Sequence, residues 1–67
     1  MAMIHIVARC EFADVGCVGY ICINKEQHTA WFTDLNFNKV LFKSTILSNV
    51  VKACEMLNLK VTPYKRK

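Results

Sequence analysis

The sequence predicts a small α+β domain, in which a three-stranded antiparallel meander packs one face against a single helix and a short strand follows. Three observations predict this β-β-β-α-β order. Apolar residues alternate with a period of two near the N-terminus, a polar run at 24–28 separates two further strand-like segments, and apolar residues recur at helical spacing over 46–57. The chain has 67 residues, enough for one domain over 1–67, with 65–67 as a basic tail.

The first three strands are predicted from alternation and β-branched or aromatic content. The first covers about 3–11, where its two alternating sets are Ile4, Ile6, Ala8, Cys10 and His5, Val7, Arg9. A turn at 12–16 precedes the second strand at 18–24, and the third covers 29–34. In the third strand, one face carries Thr29, Trp31, Thr33 and the other Ala30, Phe32.

Residues 35–43 are predicted to form a loop, because Asn36 and Asn38 interrupt any regular pattern. The loop's apolar residues would anchor it to the core; they are Leu35, Phe37, Val40 and Phe42. Ser44 or Thr45 is expected to cap a helix, and Asn58 suits the left-handed position that ends one. The last strand would cover 59–64, with Pro63 confining it to an edge or a strand end.

A helix on one face leaves the other sheet face for water or a partner. The alternation assigns six residues to that second face: His5, Val7, Arg9, Tyr20, Trp31 and Thr33. A slip of one residue in the register of any strand would exchange its two faces, so this assignment depends on regular pairing.

Composition favours a protein that associates. The apolar content is 54%, more than one small core absorbs, and a homodimer or an exposed binding face would take up the excess. Charge is uneven: residues 1–34 hold two basic and four acidic side chains, whereas 35–67 hold seven basic and one acidic. The C-terminal half therefore predicts a basic surface that attracts phosphate or an acidic protein.

The four cysteines predict free, reduced thiols rather than a disulfide framework. The N-terminus lacks a charged leader followed by a 7–15-residue apolar segment, and no apolar run approaches the roughly 20 residues that span a membrane. We therefore expect a cytoplasmic protein with no membrane association.

Motifs in the middle of the chain suggest a family. A hairpin containing Tyr20-Ile21-Cys22-Ile23 and ending in Trp31-Phe32-Thr33-Asp34-Leu35 is followed by Val40-Leu41-Phe42-Lys43-Ser44 and an amphipathic helix. Over about 18–57 this order resembles small proteins of largely unknown function carried by bacteriophages and mobile elements. Such proteins often have alanine where Val40 stands, and their helices are usually more charged. The resemblance implies a phage accessory protein acting on a host protein in the host cytoplasm, and implies no reaction.

Catalysis, cofactors and metals are not expected. The chain contains no Cys-x-x-Cys pair, no glycine-rich phosphate loop and few carboxylates, and it is too short to enclose a pocket readily. A zinc site formed by Cys10, Cys17, Cys22 and a histidine such as His28 is a lesser alternative. It would require the first hairpin to bring these ligands together.

Two binding functions remain. The preferred one is a non-catalytic accessory protein that binds and inhibits a host protein or complex, itself a homodimer, with Arg9, Tyr20, Trp31 and Thr33 as partner-binding residues. The alternative is a nucleic-acid-binding module. Its phosphate-binding and base-stacking residues would be Lys60, Tyr64, Lys65, Arg66 and Lys67.

Overall fold

A computed structural model describes residues 4–64, in which five antiparallel strands form one sheet against a single helix. The elements are β1 (Ile4–Phe12), β2 (Gly16–Asn24), β3 (Thr29–Asp34), β4 (Val40–Ser44), α1 (Leu47–Met56) and β5 (Lys60–Pro63). The sheet order is β4-β3-β2-β1-β5. The α+β class is confirmed, but the meander has four strands rather than three, and β5 returns beside β1.

The missed strand is β4, and all of it except Ser44 lies in the segment predicted to be a loop. The reversal is confined to 35–39, where Phe37 has a left-handed φ of 59° and the Asp34 carboxylate accepts the Asn38 N–H at 2.8 Å. After this turn the chain pairs with β3, with Phe42 opposite Phe32. The two asparagines therefore mark a tight connection and not the whole segment.

The core lies between the sheet and α1. Its buried members are Ala8, Cys10, Ile21, Ala30, Phe32, Val50 and Cys54. Val50 and Cys54 are four residues apart, so they lie on one side of the helix and face the sheet together. With ten residues α1 is too short to cross a bilayer, and residues 4–64 contain no other helix.

The helix ends differ in how well the sequence predicted them. Neither Ser44 nor Thr45 caps the helix, because Ile46 occupies the N-cap and makes no side-chain capping hydrogen bond. Ser44 instead accepts the Ile46 N–H at 3.2 Å, which forms a turn before the helix. Asn58 has φ 65°, which confirms the left-handed position after the C-terminus.

A β-bulge at Val7 decides which residues of β1 face the helix. The cross-strand pairs on either side of it are Ile6–Cys22 and Ala8–Ile21. Val7 is thus one extra residue opposite β2, and it packs against the core.

The bulge makes part of the predicted second face wrong. His5 lies on the helix side, opposite the core-packed Ile23, and Val7 also packs there. Ile4 and Ile6 lie instead on the sheet face opposite the helix, because the extra residue reverses the alternation of side chains before Ala8.

Gly19 allows the neighbouring strands β2 and β3 to approach each other closely. A Cβ at this position would overlap the carbonyl oxygen of Thr33 and come within 2.8 Å of the Phe32 ring. Only glycine fits there, although nothing in the alternation pattern identifies it.

The edge position predicted for the last strand is confirmed. β5 pairs only with β1, with Arg9 opposite Thr62 and Ala8 opposite Pro63. Proline has no N–H to donate, so its position at the end of an edge strand breaks no inner ladder. The basic tail at 65–67 lies outside the described residues.

Candidate functional site on the open face

The sheet face opposite α1, here called the open face, is built from cross-strand rows. Residues directly opposite one another in paired strands point to the same side. One row is Thr62–Arg9–Tyr20–Thr33–Val40, and the next is Ile6–Cys22–Trp31–Lys43.

The four residues predicted to bind a partner lie together on this face. Arg9, Tyr20 and Thr33 are consecutive in one row, and Trp31 lies in the adjacent row. Three of them are at least partly exposed, whereas Thr33 is only 2% exposed. Thr33 is therefore a supporting residue below the surface of the open face, and it is too buried to contact a partner directly.

The buried Thr33 hydroxyl holds the β3–β4 loop over the sheet. It donates a hydrogen bond of 2.7 Å to the carbonyl of Lys39. The Asp34 N–H also points to that carbonyl, at 3.4 Å. Together these bonds fix the end of the loop against the margin of the open face.

The loop adds Phe37, a residue that the sequence pattern assigned to the core. Its ring stacks on Tyr20, with centroids 5.3 Å apart and planes 5° from parallel. Phe37 is exposed and has a left-handed backbone, which is rare for a bulky residue. No sequence signal pointed to this conformation, because the pattern around it indicated only a loop.

Tyr64 joins the same cluster from the other side. Its ring meets Tyr20 edge-on at 6.0 Å and 89°, and its N–H donates to the Val7 carbonyl at 3.1 Å. The rings of Phe37, Tyr20 and Tyr64 form a group that we call the ring cluster. The ring cluster thus contains Tyr20, which was predicted to bind a protein partner, and Tyr64, which belongs to the alternative prediction of nucleic-acid binding.

A shallow depression lies beside the ring cluster, between the loop and the open face. It encloses about 400 Å³. Its apolar lining comes from Ile4, Ile6, Cys22, Trp31, Phe37 and Val40. Ile4 and Ile6 reach it because of the Val7 bulge, whereas uninterrupted alternation would place both on the helix side.

Arg9 lies directly opposite Tyr20 of the ring cluster. Its guanidinium lies 3.2 Å from the Glu11 carboxylate, in a pair that solvent reaches. The pKa of Arg9 is raised, first by a hydrogen bond with the Cys17 side chain and then by charge interactions with Cys17 and Glu11. Charge interaction with Cys17 also leads the causes that raise the pKa of the Tyr20 phenol. At neutral pH the face therefore presents a cation beside a phenol that keeps its proton.

Charge is segregated across the described residues. The open face carries three cations in the ladder positions Arg9, Lys43 and Lys60, and one acid, Glu11, opposite Lys60. The other acids lie in turns, on the helix side or on the helix: Asp14, Glu26, Asp34 and Glu55. The open face is thus the more positive side of the described fold.

The alternative zinc ligands do not converge. Cys10 faces the core, with its sulfur 3.8 Å from that of Cys54, whereas Cys17 and Cys22 belong to the open face. Across 4–64, no three cysteine, histidine or carboxylate side chains are close enough to hold a metal. All four thiols are free, and burial raises the pKa of Cys10 to about 12. Cys10 and Cys54 are therefore core residues.

Comparison with known proteins adds no relative. No family model, curated protein or solved structure matches this chain. The resemblance to phage proteins consequently rests on the sequence pattern alone, and function must be argued from the open face.

Proposed function

We propose that this chain is a non-catalytic binding protein whose open face contacts a protein partner. The observation that carries the proposal is the ring cluster beside an apolar depression, with Arg9 at its margin. Aromatic residues and arginine are enriched at interface centres, where they supply most of the binding energy.

The shape of the face supports recognition of an apolar side chain. Ile6, Cys22 and Trp31 are among the apolar residues that line the depression, so it suits an aliphatic or aromatic side chain of the partner. Tyr20 and Arg9 beside it can hydrogen-bond to a carbonyl or carboxylate of the same partner. The proposed binding mode therefore combines one apolar anchor with a polar rim.

The proposed partner is a host protein or complex, as the phage resemblance implies, and the proposed role of the chain is to modulate it by inhibition. The cytoplasm is the proposed location, which four free thiols support because disulfides are rare there. Dimerisation, also expected from the sequence, would involve a different surface at β4.

Affinity capture from bacterial lysate, with and without nuclease, tests the proposal. The tagged wild type is compared with Trp31→Ala and Arg9→Ala, and with Val15→Ala as a control in the exposed β1–β2 turn. We expect the wild type and the control to retain the same protein after nuclease treatment, and both open-face variants to lose it. Circular dichroism establishes that each variant is folded. A protein retained equally by all four chains would contradict binding through the open face.

A nucleic-acid partner is the second candidate, and the charge segregation is the observation that favours it. Three cations share the open face with the ring cluster, and sheets with exposed aromatic rings bind single strands by stacking bases on them. Tyr64, which touches Tyr20, directly precedes the basic residues Lys65, Arg66 and Lys67.

Fluorescence anisotropy with a labelled single-stranded oligonucleotide separates the two candidates. Nucleic-acid binding predicts an affinity that falls steeply with salt, because phosphate contacts release counterions. Tyr64→Ala should weaken it by loss of stacking, and Lys60→Ala should reduce the salt slope by about one unit. Affinity unchanged by salt and by both substitutions would exclude this candidate.

A further inference from the structure

A broad, mainly apolar depression lies on the helix side of the sheet, on the opposite side from the open face. It runs between β4 and the C-terminal end of α1 and encloses about 560 Å³. We call it the β4–α1 groove, and its main apolar walls are Leu41, Phe42, Met56 and Leu57.

Another bulge, in the pairing of β4 with β3, places two adjacent residues of β4 in this groove. Thr33 pairs with Val40 and Phe32 with Phe42, so Leu41 is one extra residue opposite β3. Leu41 and Phe42 consequently both line the groove on the helix side, although they are adjacent in sequence. Two large apolar side chains are thereby concentrated at one point of the sheet edge.

The two edges of the sheet differ. β5 is short and ends in Pro63, which cannot donate a hydrogen bond to an added strand. β4 carries three consecutive exposed apolar residues, Val40, Leu41 and Phe42. Within 4–64 only one edge is therefore suited to association, which favours a closed pair over an open-ended fibre.

We propose that the β4–α1 groove is the interface of a two-fold homodimer. Each copy brings its β4 edge beside that of the other and inserts Met56 and Leu57 into the partner copy's groove. The same patch holds both the protruding side chains and the depression that receives them, as a two-fold interface requires.

The charge of the patch suits a second copy. Lys52 is the one charged residue that lines the groove, and β4 adds only Lys43, which lies on the opposite side of the sheet, so pairing two copies brings few like charges together despite a net charge of +4 per chain. A strongly basic partner would find no complementary charge in the groove, and a strongly acidic partner would find only Lys52.

The exposed apolar area of the groove residues determines the expected affinity of the dimer. The four groove side chains are 53, 41, 81 and 60% exposed in chain order, which gives about 235 Å² of apolar surface per copy at about 100 Å² for each large side chain. Two copies bury about 470 Å², and since about 65% of a homodimer interface is apolar, the contact totals about 720 Å² before the β4 backbones are added. Stable interfaces bury about 1,200–2,000 Å², so this contact falls in the range of weak, transient association. We therefore expect dissociation constants between about 1 µM and about 1 mM.

Sedimentation equilibrium across that concentration range tests the dimer. Met56→Lys is the informative variant, because it places a charge in the interface while a cation in the last helical turn favours the helix. Val15→Lys is the matched control, with the same chemical change at another exposed apolar site. We expect Met56→Lys to weaken dimerisation at least about tenfold and Val15→Lys to change it less than about twofold.

Amide chemical shifts followed on dilution locate the contact. The proposal predicts changes at β4 and the C-terminal end of α1, with Arg9 and Tyr20, which lie on β1 and β2, unaffected. A chain that stays monomeric at all concentrations would overturn the proposal. So would equal weakening by both lysine variants, or a dimer whose shift changes map to the open face. None of these results bears on the partner captured through Trp31 and Arg9, so the two proposals can fail separately.

Discussion

Replacement of Gly19 by alanine should destabilise the protein more than any other single-methyl addition to a glycine of this chain. The new Cβ would overlap the Thr33 carbonyl oxygen and approach the Phe32 ring to 2.8 Å. An ordinary carbon–oxygen contact is about 3.3 Å, so β2 and β3 would have to separate by about 1 Å. These are the central strands under both the open face and the core.

The expected loss of stability in Gly19→Ala is the sum of two effects. Overpacking a filled site costs about 1–3 kcal/mol, and weakening one ladder hydrogen bond adds about 1 kcal/mol. The expected loss is therefore about 2–4 kcal/mol. A domain of 67 residues has a total stability of only about 3–10 kcal/mol at typical values per residue. A fall in Tm of at least about 10 °C should accompany the change.

Urea denaturation measures this loss, and Gly16→Ala is the matched control. Gly16 has φ 94° with nothing within 4 Å of an added Cβ, so alanine there meets backbone strain and no overlap. That strain costs about 1–2 kcal/mol. If Gly19→Ala proved no more destabilising than Gly16→Ala, the close approach of β2 and β3 would be refuted.

Four further outcomes are expected. Val50→Ala should cost about 2 kcal/mol in urea denaturation, because it opens a cavity at a fully buried site. Thr33→Val should cost about 1 kcal/mol by removing the bond to Lys39, and should shift the amide resonances of the β3–β4 loop. The pKa of Cys10 is raised from 9.0 to about 12 on folding, so its contribution to stability is complete below about pH 9 and declines as pH rises towards about 12. Cys10→Ala should lessen this alkaline loss in denaturation curves recorded against pH. Cys17, the one thiol of the four that is not buried, should react first with iodoacetamide by mass spectrometry, and equal rates would contradict its placement.

The elements with regular patterns were predictable from the sequence. β3 was predicted with its observed bounds, and Asn58 marked the end of α1, because a two-residue period and a left-handed asparagine have local causes. The missed β4 has only five residues and carries an inserted Leu41, so its alternation is broken and its pairing with β3 is visible only in three dimensions.

The candidate site was predictable only where strands pair regularly. Arg9, Tyr20 and Trp31 were assigned to the correct face because their strand segments alternate without interruption up to the bulges. His5 was placed on the wrong face because a bulge leaves no local trace in sequence. Phe37 was missed for a different reason, since its position depends on a loop conformation held by hydrogen bonds from β3.

The Val7 bulge gives the first strand a point at which its length can change. Val7 has no residue opposite it in β2, so deleting this single codon would leave Ile4, Ile6 and every later side chain of β1 facing as before. The deletion would remove the carbonyl that holds the Tyr64 amide. Shortening the N-terminal strand by one residue would therefore spare most of the interior and change chiefly how Tyr64 is held beside β1.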